Sequence, residues 1–220
     1  HLTTQQLGSA AEQLGKDSVL SETFALCGHN VSFAELKGIY EWQMVHGINL
    51  LCQHLEGYSI RGIRKRDYPP AMYCQQPWWT EYKAFVDAMS RESMVLAEGK
   101  MCADVLVIHP QTTAWSMYDG KNAEDVKNEE IEKVNNNLLS IMKTLEQKHI
   151  MYHLGDETIM ERHAKVENGR LIIGTQSYSV VVVPPADCLA SNTVKLLKEF
   201  KTQGGLVIFA GRIPTMINGK

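Results

Sequence analysis

The sequence has 220 residues, of which 44% are hydrophobic and 21% are charged, and its formal net charge is −3. This composition is typical of a globular protein, and the length suits one large domain or two small ones. The weak negative charge argues against nucleic acid as a partner, because phosphate binding needs a concentrated basic surface. The one basic cluster, IRGIRKRDY at 60–68, is short, and we interpret it as a charged loop.

Two cellular locations, the cytoplasm and the periplasm, are compatible with the sequence. No apolar run approaches the ~20 residues that a membrane-spanning helix needs, so no membrane partner is expected. The start, HLTTQQ, lacks the basic and apolar regions of a signal peptide and begins without Met. We therefore expect a terminus left by cloning, a mature form or a piece of a longer protein, in the cytoplasm or the periplasm.

The five cysteines are scattered without a C-x-x-C pair, which predicts reduced thiols that pack as small core residues.

The first hundred residues alternate between helical and strand patterns. Ser32, followed three residues later by Glu35, is a capping box that starts a helix, and Gly47 ends that helix. The predicted elements are, in chain order, a helix at 3–14 (apolar face Leu7, Ala10, Ala11 and Leu14), a strand at 18–24, a helix at 33–46, a strand at 48–55 and a helix at 79–97. Strands that alternate with helices imply parallel βαβ units, in a barrel or in an open sheet.

A second series starts near residue 100, where we place a domain boundary. The predicted elements are a strand at 102–110, a polar loop with Asp119 and Gly120, a helix at 127–148, a strand at 149–154, two strands within 170–185, a helix at 190–203 and a strand at 205–211. The strands at 102–110 and 180–183 are continuous apolar runs, typical of a sheet that is covered on both faces.

Four polar residues at and after the strand at 149–154 are not expected to form a functional site. His149 and His153 flank a strand, where a spacing of four residues spans ~13 Å, so a shared metal is not expected. Asp156 and Glu157 follow that strand and are predicted to be solvated turn residues.

The stretch VLSETFALCGHN at 19–30 places a carboxylate inside an apolar strand. Val19, Leu20, Phe24 and Leu26 predict a buried strand, and Glu22 lies among them. In parallel α/β folds the chemistry gathers at the carboxyl ends of the strands, and Glu22 lies at one such end.

Other candidate residues cluster at the same predicted edge. His54 and Glu56 end the next strand, and His29 lies in the loop that follows Glu22. Trp78 and Trp79 offer flat apolar faces on which a sugar ring can stack. A carboxylate pair with aromatic platforms is the equipment of glycoside hydrolysis, in which two carboxylates flank the bond that is cleaved.

The same segments resemble a known group of carbohydrate-active enzymes. SETFALCGHN, then GINLLCQHLEGYSIRGIRKRDYPP with QPWW, then CADVLVIHP resemble the C-terminal portion of large multidomain glycoside hydrolases. The sequence is similar to the α-L-rhamnosidase-like family 106 and its relatives over about residues 10–215. The resemblance implies an α/β fold: the last units of a (β/α)8 barrel at 1–100, then a truncated flavodoxin-like domain of the class I amidotransferase type at 101–220. The family-42 β-galactosidases carry such a domain as well.

Within that resemblance the candidate residues take roles. The strand at 18–24 corresponds to barrel strand seven, whose terminal glutamate is the nucleophile or the general base, and this position maps to Glu22. The strand at 48–55 corresponds to strand eight, which places His54 in the pocket as a substrate contact. The implied substrate is a carbohydrate, an α-L-rhamnoside or a related sugar. We expect no cofactor and no metal, since no clear acidic cluster for calcium is present.

The sequence departs from the family pattern at two points. Strands one to six are absent, including strand four, where relatives carry the acid, so only one of the two required carboxylates is found. The strand at 205–211 ends in Ala210-Gly211-Arg212, where a glutaminase places a cysteine nucleophile on a tight turn. The second domain is therefore expected to be structural, which disfavours an independent amidotransferase.

Plainer interpretations stand beside each of these. Glu22 can be a surface glutamate paired with Lys or Arg, His54 a core histidine, and at least one of Trp78 and Trp79 a residue packed on the barrel rim. Cys27 lacks an oriented base, which disfavours a thiol nucleophile. The alternative function is a non-catalytic carbohydrate-binding or assembly module. In either case the missing barrel strands, a second chain or a homo-oligomer would have to cover the open strand edges.

Overall fold

Alternating helices and strands build the protein, as the sequence predicts. In a computed structural model that describes residues 2–118 and 128–220, the helices are α1 (Leu2–Gln13), α2 (Phe33–Met44), α3 (Tyr82–Glu98), α4 (Gln111–Met117), α5 (Glu129–Gln147), α6 (Glu157–His163) and α7 (Ser191–Thr202). The strands are β1 (Leu20–Thr23), β2 (Leu50–Gln53), β3 (Val105–Ile108), β4 (Tyr152–Gly155), β5 (Ala164–Glu167), β6 (Arg170–Ile173), β7 (Gln176–Tyr178), β8 (Val180–Val183), β9 (Cys188–Leu189), β10 (Leu206–Phe209) and β11 (Met216–Ile217). No helix among these has the length and apolar composition to cross a membrane.

The chain divides into two units. The two-stranded unit comprises Lys16–Lys100, and the four-stranded unit combines the residues up to Gly15 with Met101–Lys220. The predicted first domain, 1–100, therefore loses its N-terminal helix to the other unit. The polar loop predicted at Asp119 and Gly120 lies outside the described residues.

The two-stranded unit contains the parallel pair β1–β2, with α2 between the strands in sequence and α3 after them. The capping box is confirmed: the Ser32 side chain accepts a hydrogen bond from the Glu35 backbone, and the Glu35 carboxylate accepts one from the Ser32 backbone. The Tyr40 and Ser93 hydroxyls, 2.9 Å apart, hydrogen-bond α2 to α3. The rings of Phe33 in α2 and Phe85 in α3, with centroids 5.8 Å apart, add an apolar contact between the same two helices.

The four-stranded unit has a fully parallel sheet in the strand order β10-β8-β3-β4. Its central strands β3 and β8 are apolar on both sides, because helices cover both faces. Leu106 and Val181 belong to one core with α6 and α7, whereas Val107 and Val182 belong to a second core with α5. The prediction of a parallel sheet that is covered on both faces is confirmed.

Helix α1 covers the open edge of β4 with polar side chains. Gln5 Nε2 donates to the Tyr152 carbonyl at 2.8 Å, and Gln13 Nε2 donates to the Leu154 carbonyl at 3.0 Å. Between them, Ser9 Oγ accepts from the Leu154 backbone N–H at 2.9 Å. The predicted apolar face of this helix is wrong in part: Ala11 is buried, but Leu7 and Leu14 are exposed, and the buried residues include the polar stripe at i, i+4 and i+8.

Several elements differ from the prediction. Helix α4 starts in the predicted polar loop, and α6 follows β4 where a turn was expected. Residues 164–178 form an antiparallel three-stranded sheet, β5-β6-β7, where fewer strands were predicted. Its first hairpin turns on Asn168 and Gly169, with φ angles of 52° and 72°, as a two-residue Asn-Gly turn requires.

None of the five cysteines, all of which lie within the described residues, forms a disulfide bond, as predicted, but most are not core residues. Cys52, Cys74 and Cys102 are exposed, Cys27 is half-buried and Cys188 is buried. The expectation of small buried residues is therefore wrong for the three exposed thiols, which lie on or near uncovered strand and loop surfaces.

Asp156 and Glu157 are structural residues, not the solvated turn residues that the sequence predicts. The Asp156 carboxylate caps α6 by accepting from the Thr158 and Ile159 backbones. The Glu157 side chain is buried, and its two oxygens accept from the backbone N–H groups of Thr112 at 3.1 Å and Ala190 at 2.7 Å. Both donors lie at helix starts, where the helix dipole favours a negative charge.

We expect the substitution Glu157→Ala to lower the free energy of unfolding by about 3 kcal/mol, because two buried N–H groups lose a charged acceptor. Urea denaturation measures the change. Glu161→Ala, on an exposed position of the same helix, serves as the control and should change stability by no more than about 0.5 kcal/mol. Equal midpoints for the two variants would contradict the structural role of Glu157.

His153 lies inside β4 and is fully buried. Its Nδ1 accepts from the Tyr178 hydroxyl at 2.9 Å, and that hydroxyl accepts from Gln13 Nε2 at 3.0 Å. Burial lowers the pKa of His153 to about 4 from its ordinary value of 6.5. The histidine therefore packs as a neutral core residue whose Nδ1 is engaged by the Tyr178 hydroxyl.

The depressed pKa predicts a pH dependence of stability. Between pH 6.5 and pH 4 the unfolded chain binds a proton that the folded His153 excludes, so the free energy of unfolding falls as the pH falls. The loss across this window is about 3 kcal/mol. Urea denaturation of His153→Asn should show a shallower pH slope than the unsubstituted chain. His149→Asn, at an exposed position, should keep the original slope, and identical slopes for all three proteins would refute the prediction.

Candidate active site

Strands β1 and β2 end at the same edge of the two-stranded unit. Their register places Glu22 opposite Cys52 and Thr23 opposite Gln53. The His54 backbone N–H donates to the Thr23 carbonyl at 2.8 Å, which extends the pairing by one residue. The chain therefore leaves both strands at one edge, where Glu22 and His54 were predicted to lie.

The two faces of this strand pair differ. Thr23 is buried, and its hydroxyl donates to Gln43 Oε1 of α2 at 3.1 Å, so its side faces the helix. Alternation puts Leu20 and Glu22 on the opposite side, where Leu20 is 51% exposed and Glu22 is also exposed. Leu50 and Cys52 of the paired strand are exposed as well.

Glu22 is thus an exposed carboxylate on a helix-free sheet face, and the predicted buried strand around it is wrong in part. Val19 and Phe24 are buried as expected, but Leu20 and Leu26 are exposed. The physical reason is that no other element in the described part of the two-stranded unit covers this face. The carboxylate makes no hydrogen bond or ion pair within the described residues, so the plain alternative of a Lys or Arg partner gains no support.

The backbone directly after Glu22 is strained. Phe24 and Leu26 have φ angles of 81° and 63°, in the left-handed region that side chains other than glycine seldom adopt. Burial of Phe24, whose ring centroid lies 6.1 Å from that of Phe85, holds the chain in this conformation. Strained backbone of this kind is concentrated at functional sites in proteins.

His29 joins the loops that follow the two strands. Its Nε2 donates to the Lys65 carbonyl at 2.8 Å, and its Nδ1 accepts from Gln76 Nε2 at 3.2 Å. Next to it, the Gly28 backbone N–H donates to the Pro69 carbonyl at 3.1 Å. Both ring nitrogens of His29 are therefore occupied by contacts that link these loops, and its role as a substrate contact stays a prediction.

His54 packs against Tyr68, with ring centroids 5.3 Å apart. The Nδ1 atom of His54 is buried and has no hydrogen-bond partner among the described residues. Tyr68 itself has a φ of 48°, a further left-handed residue at this edge. Tyr68 is not among the site residues predicted from the sequence, where its only signal is an aromatic residue directly before Pro69-Pro70.

Trp78 and Trp79 belong to an aromatic cluster with Phe33, Tyr82 and Phe85. Trp78 lies 5.2 Å from Phe33 and 5.6 Å from Tyr82, and its Nε1 donates to the Val31 carbonyl at 3.1 Å. Trp79 stacks on Tyr82 at 5.3 Å. Both rings are half-buried, so this geometry favours the interpretation that they pack on neighbouring aromatic residues.

Glu56 lies at the surface of the same edge. Its carboxylate accepts from Gln53 Nε2 at 3.0 Å, and Gln53 Oε1 in turn accepts from the Tyr82 hydroxyl. Burial, with a further contribution from the Glu56 charge, raises the pKa of Tyr82 to about 12. Tyr82 is therefore a stable hydrogen-bond donor that links the aromatic cluster to β2.

Metal and thiol chemistry receive no support at this edge. The described residues contain no group of three or more His, Cys, Asp or Glu side chains that is placed to hold a metal ion. Burial, together with the Glu35 charge, raises the pKa of the Cys27 thiol. A nucleophilic thiol needs the opposite shift, which agrees with the expectation that Cys27 is not a nucleophile.

Comparison with known proteins gives matches in structure but not in sequence. No family model matches the chain, and no curated protein is significantly similar to it. The rhamnosidase from Novosphingobium sp. PP1Y matches 98% of this chain with a TM-score of 0.67 and 15% sequence identity. The β-galactosidase Gan42B, of family GH42, matches 94% with a TM-score of 0.59 and 14% identity. A catalytic mutant of Gan42B from G. stearothermophilus matches 98% with a TM-score of 0.60 and 13% identity.

The fold of the chain is similar to part of each of these glycoside hydrolases. It spans 20% of the rhamnosidase chain and 29% and 31% of the two β-galactosidase chains. The predicted α/β class with parallel strands is confirmed, and the match is consistent with a partial barrel. The amidotransferase-like assignment of residues 101–220 and the roles of the single site residues stay predictions.

The two roles considered for Trp78 can be separated by substitution. Trp78→Phe keeps an aromatic ring but removes the hydrogen bond to the Val31 carbonyl, which should lower the free energy of unfolding by about 1 kcal/mol. Trp79→Phe is the matched control, because the Trp79 indole nitrogen makes no hydrogen bond within the described residues. We expect neither variant to change the affinity for a methyl pyranoside in a calorimetric titration. A clear loss of affinity in either variant would restore that tryptophan as a sugar platform.

Proposed function

We propose that the two-stranded unit is part of the (β/α)8 barrel of a glycoside hydrolase and that Glu22 is its nucleophile or general base. The observation that carries the proposal is the position of Glu22, an exposed carboxylate on the helix-free face at the carboxyl end of a parallel strand. In a barrel that face lines the interior, and active sites lie at the carboxyl ends of the strands. The glycoside hydrolase fold supports the same conclusion.

The chemistry requires a second carboxylate on the other side of the scissile bond. The two carboxylates lie about 5 Å apart in enzymes that retain the anomeric configuration and ~6.5–9.5 Å apart in enzymes that invert it. Glu56 is a weak candidate, because Gln53 already hydrogen-bonds to it at the surface. We assign the acid to barrel strands outside this chain, with an oxocarbenium-like transition state between the two groups. His54, on the side of Glu22, is the proposed substrate contact.

An α-L-rhamnoside is the proposed substrate, with a β-galactoside as the second choice. This order rests on the match to the rhamnosidase, which has the higher TM-score at nearly full coverage of this chain. The four-stranded unit is proposed to be an amidotransferase-like accessory domain without chemistry of its own, since Ala210, Gly211 and Arg212 stand where a glutaminase places its nucleophile.

The open edge of β2 favours an association of this unit with further strands. Within the described residues β2 pairs only with β1, and a groove of about 810 Å³ runs between β2 and α3. Leu50, Leu55 and Met94 expose large apolar surfaces in this groove. Further barrel strands fit such an edge, and so does a second chain, which is the arrangement of the alternative, a non-catalytic carbohydrate-binding or assembly module.

Replacement of Glu22 tests the catalytic proposal. In the longest natural form of the polypeptide, Glu22→Gln should lower the turnover of an aryl α-L-rhamnoside by about a thousandfold or more, because a nucleophile or base acts on the transition state. The measurement is release of the aryl alcohol, with an aryl β-galactoside assayed in parallel. Glu132→Gln, on an exposed position of α5, is the matched control and should keep full turnover.

Two results would decide between the functions. Unchanged turnover in Glu22→Gln would overturn the catalytic role of Glu22. Absence of hydrolysis in the unsubstituted protein, together with measurable pyranoside binding, would favour the non-catalytic module. If hydrolysis occurs, the anomeric configuration of the first product, read by NMR, distinguishes a nucleophile from a general base.

A further inference from the structure

Tyr68 is the aromatic side chain placed against the strand end that carries the proposed site. Its ring packs on His54, which lies two residues after Cys52 and shares that residue's side of β2. Cys52 in turn is the register partner of Glu22. Tyr68 is 50% exposed, and its hydroxyl makes no hydrogen bond within the described residues.

Tyr68 is held there against local preference. Its φ of 48° lies in the left-handed region, which disfavours a bulky side chain and suits Asn or Gly. The ring it covers, His54, keeps a buried Nδ1 without a partner among the described residues. Two unfavourable features therefore coincide at one point, and such departures from local rules are expected at functional sites.

The other aromatic residues near this edge either pack in the aromatic cluster or lack a contact that would fix their orientation. Trp78 and Trp79 are half-buried in the aromatic cluster defined above. Tyr58 is 97% exposed and makes no ring contact within the described residues, so nothing orients it. Tyr68 combines an open ring face with a fixed position, because its ring packs on His54 and the adjoining Pro69 carbonyl accepts from Gly28.

We propose that the Tyr68 ring, packed on His54, is the platform on which the apolar face of a pyranoside stacks beside Glu22. This inference rests on the proposed function, because the sugar and its position are taken from there. A large aromatic ring offers a rigid apolar surface at a low entropic cost, and pockets for small ligands commonly combine such a surface with a few polar groups. Tyr68 then determines sugar affinity, whereas Glu22 determines turnover.

The left-handed backbone permits a variant that removes the ring without harm to the fold. Tyr68→Asn replaces the tyrosine with a residue that tolerates this conformation, so the unfolding midpoint should not fall. Calorimetric titration of the longest natural form with methyl α-L-rhamnopyranoside, and with methyl β-D-galactopyranoside, measures the affinity. We expect Tyr68→Asn to bind at least about tenfold more weakly, equal to about 1.4 kcal/mol.

Two controls isolate the ring. Tyr68→Phe keeps the platform and should bind as the unsubstituted protein does, because the hydroxyl makes no contact that is lost. Tyr58→Asn removes an exposed tyrosine of the same loop and should leave affinity unchanged. Undiminished binding by Tyr68→Asn overturns the proposal, and so does an unsubstituted protein that binds neither pyranoside. Binding that depends on Tyr68 in a protein whose hydrolysis ignores Glu22→Gln supports the platform and refutes the catalytic proposal alone.

Discussion

An open sheet edge exposes backbone N–H and C=O groups that need partners, and in this protein a polar stripe of α1 supplies partners for β4. Gln5, Ser9 and Gln13 of α1 satisfy backbone groups of Tyr152 and Leu154 that a further strand would otherwise pair with. The same helix holds the Tyr178 hydroxyl through Gln13, and that hydroxyl bonds to buried His153. Hydrogen bonds from α1 therefore close this edge of the four-stranded sheet and extend to the buried His153. Apolar packing adds to this arrangement on both faces of the sheet.

The two-stranded unit shows the opposite condition. No comparable helix closes β2 within the described residues, and the face that carries Glu22, Cys52 and Leu20 is exposed. An uncovered apolar face next to an open strand edge is unfavourable in isolation. In a barrel the same two features are the means by which neighbouring strands pair and by which the interior receives its polar groups. In the proposed barrel, the open strand edge and the exposed carboxylate of Glu22 would therefore have the same structural explanation.

The elements with strong periodicity could be predicted from the sequence, as could the capping box of α2 and the apolar strands β3 and β8. What could not be predicted depends on partners distant in sequence. The local sequence around Glu157 suggests a turn, because the backbone N–H groups that bind its carboxylate belong to Thr112 and Ala190, which are distant in sequence. The buried stripe on α1 is mostly polar, so the apolar pattern of the sequence identifies Ala11 correctly but not Leu7 and Leu14, which are exposed. The Asn168-Gly169 hairpin was readable from turn chemistry alone and was missed. At the site, Glu22 could be selected, but the pairing of His54 with Tyr68 depends on the fold of the 60–70 loop.

The hydrogen bonds between α1 and β4 also have a consequence for folding during synthesis. Gln5 and Tyr152 are separated by 147 positions, and Gln13 and Leu154 by 141. Closing so long a loop is entropically costly and slow, and the ribosome releases the helix long before it releases the strand. During that interval α1 lacks the β4 backbone groups to which it hydrogen-bonds in the folded protein. The α1 side chains that later bind β4 are glutamine and serine, which water can solvate. This part of the nascent helix therefore does not expose an apolar surface that would promote aggregation before β4 is synthesised.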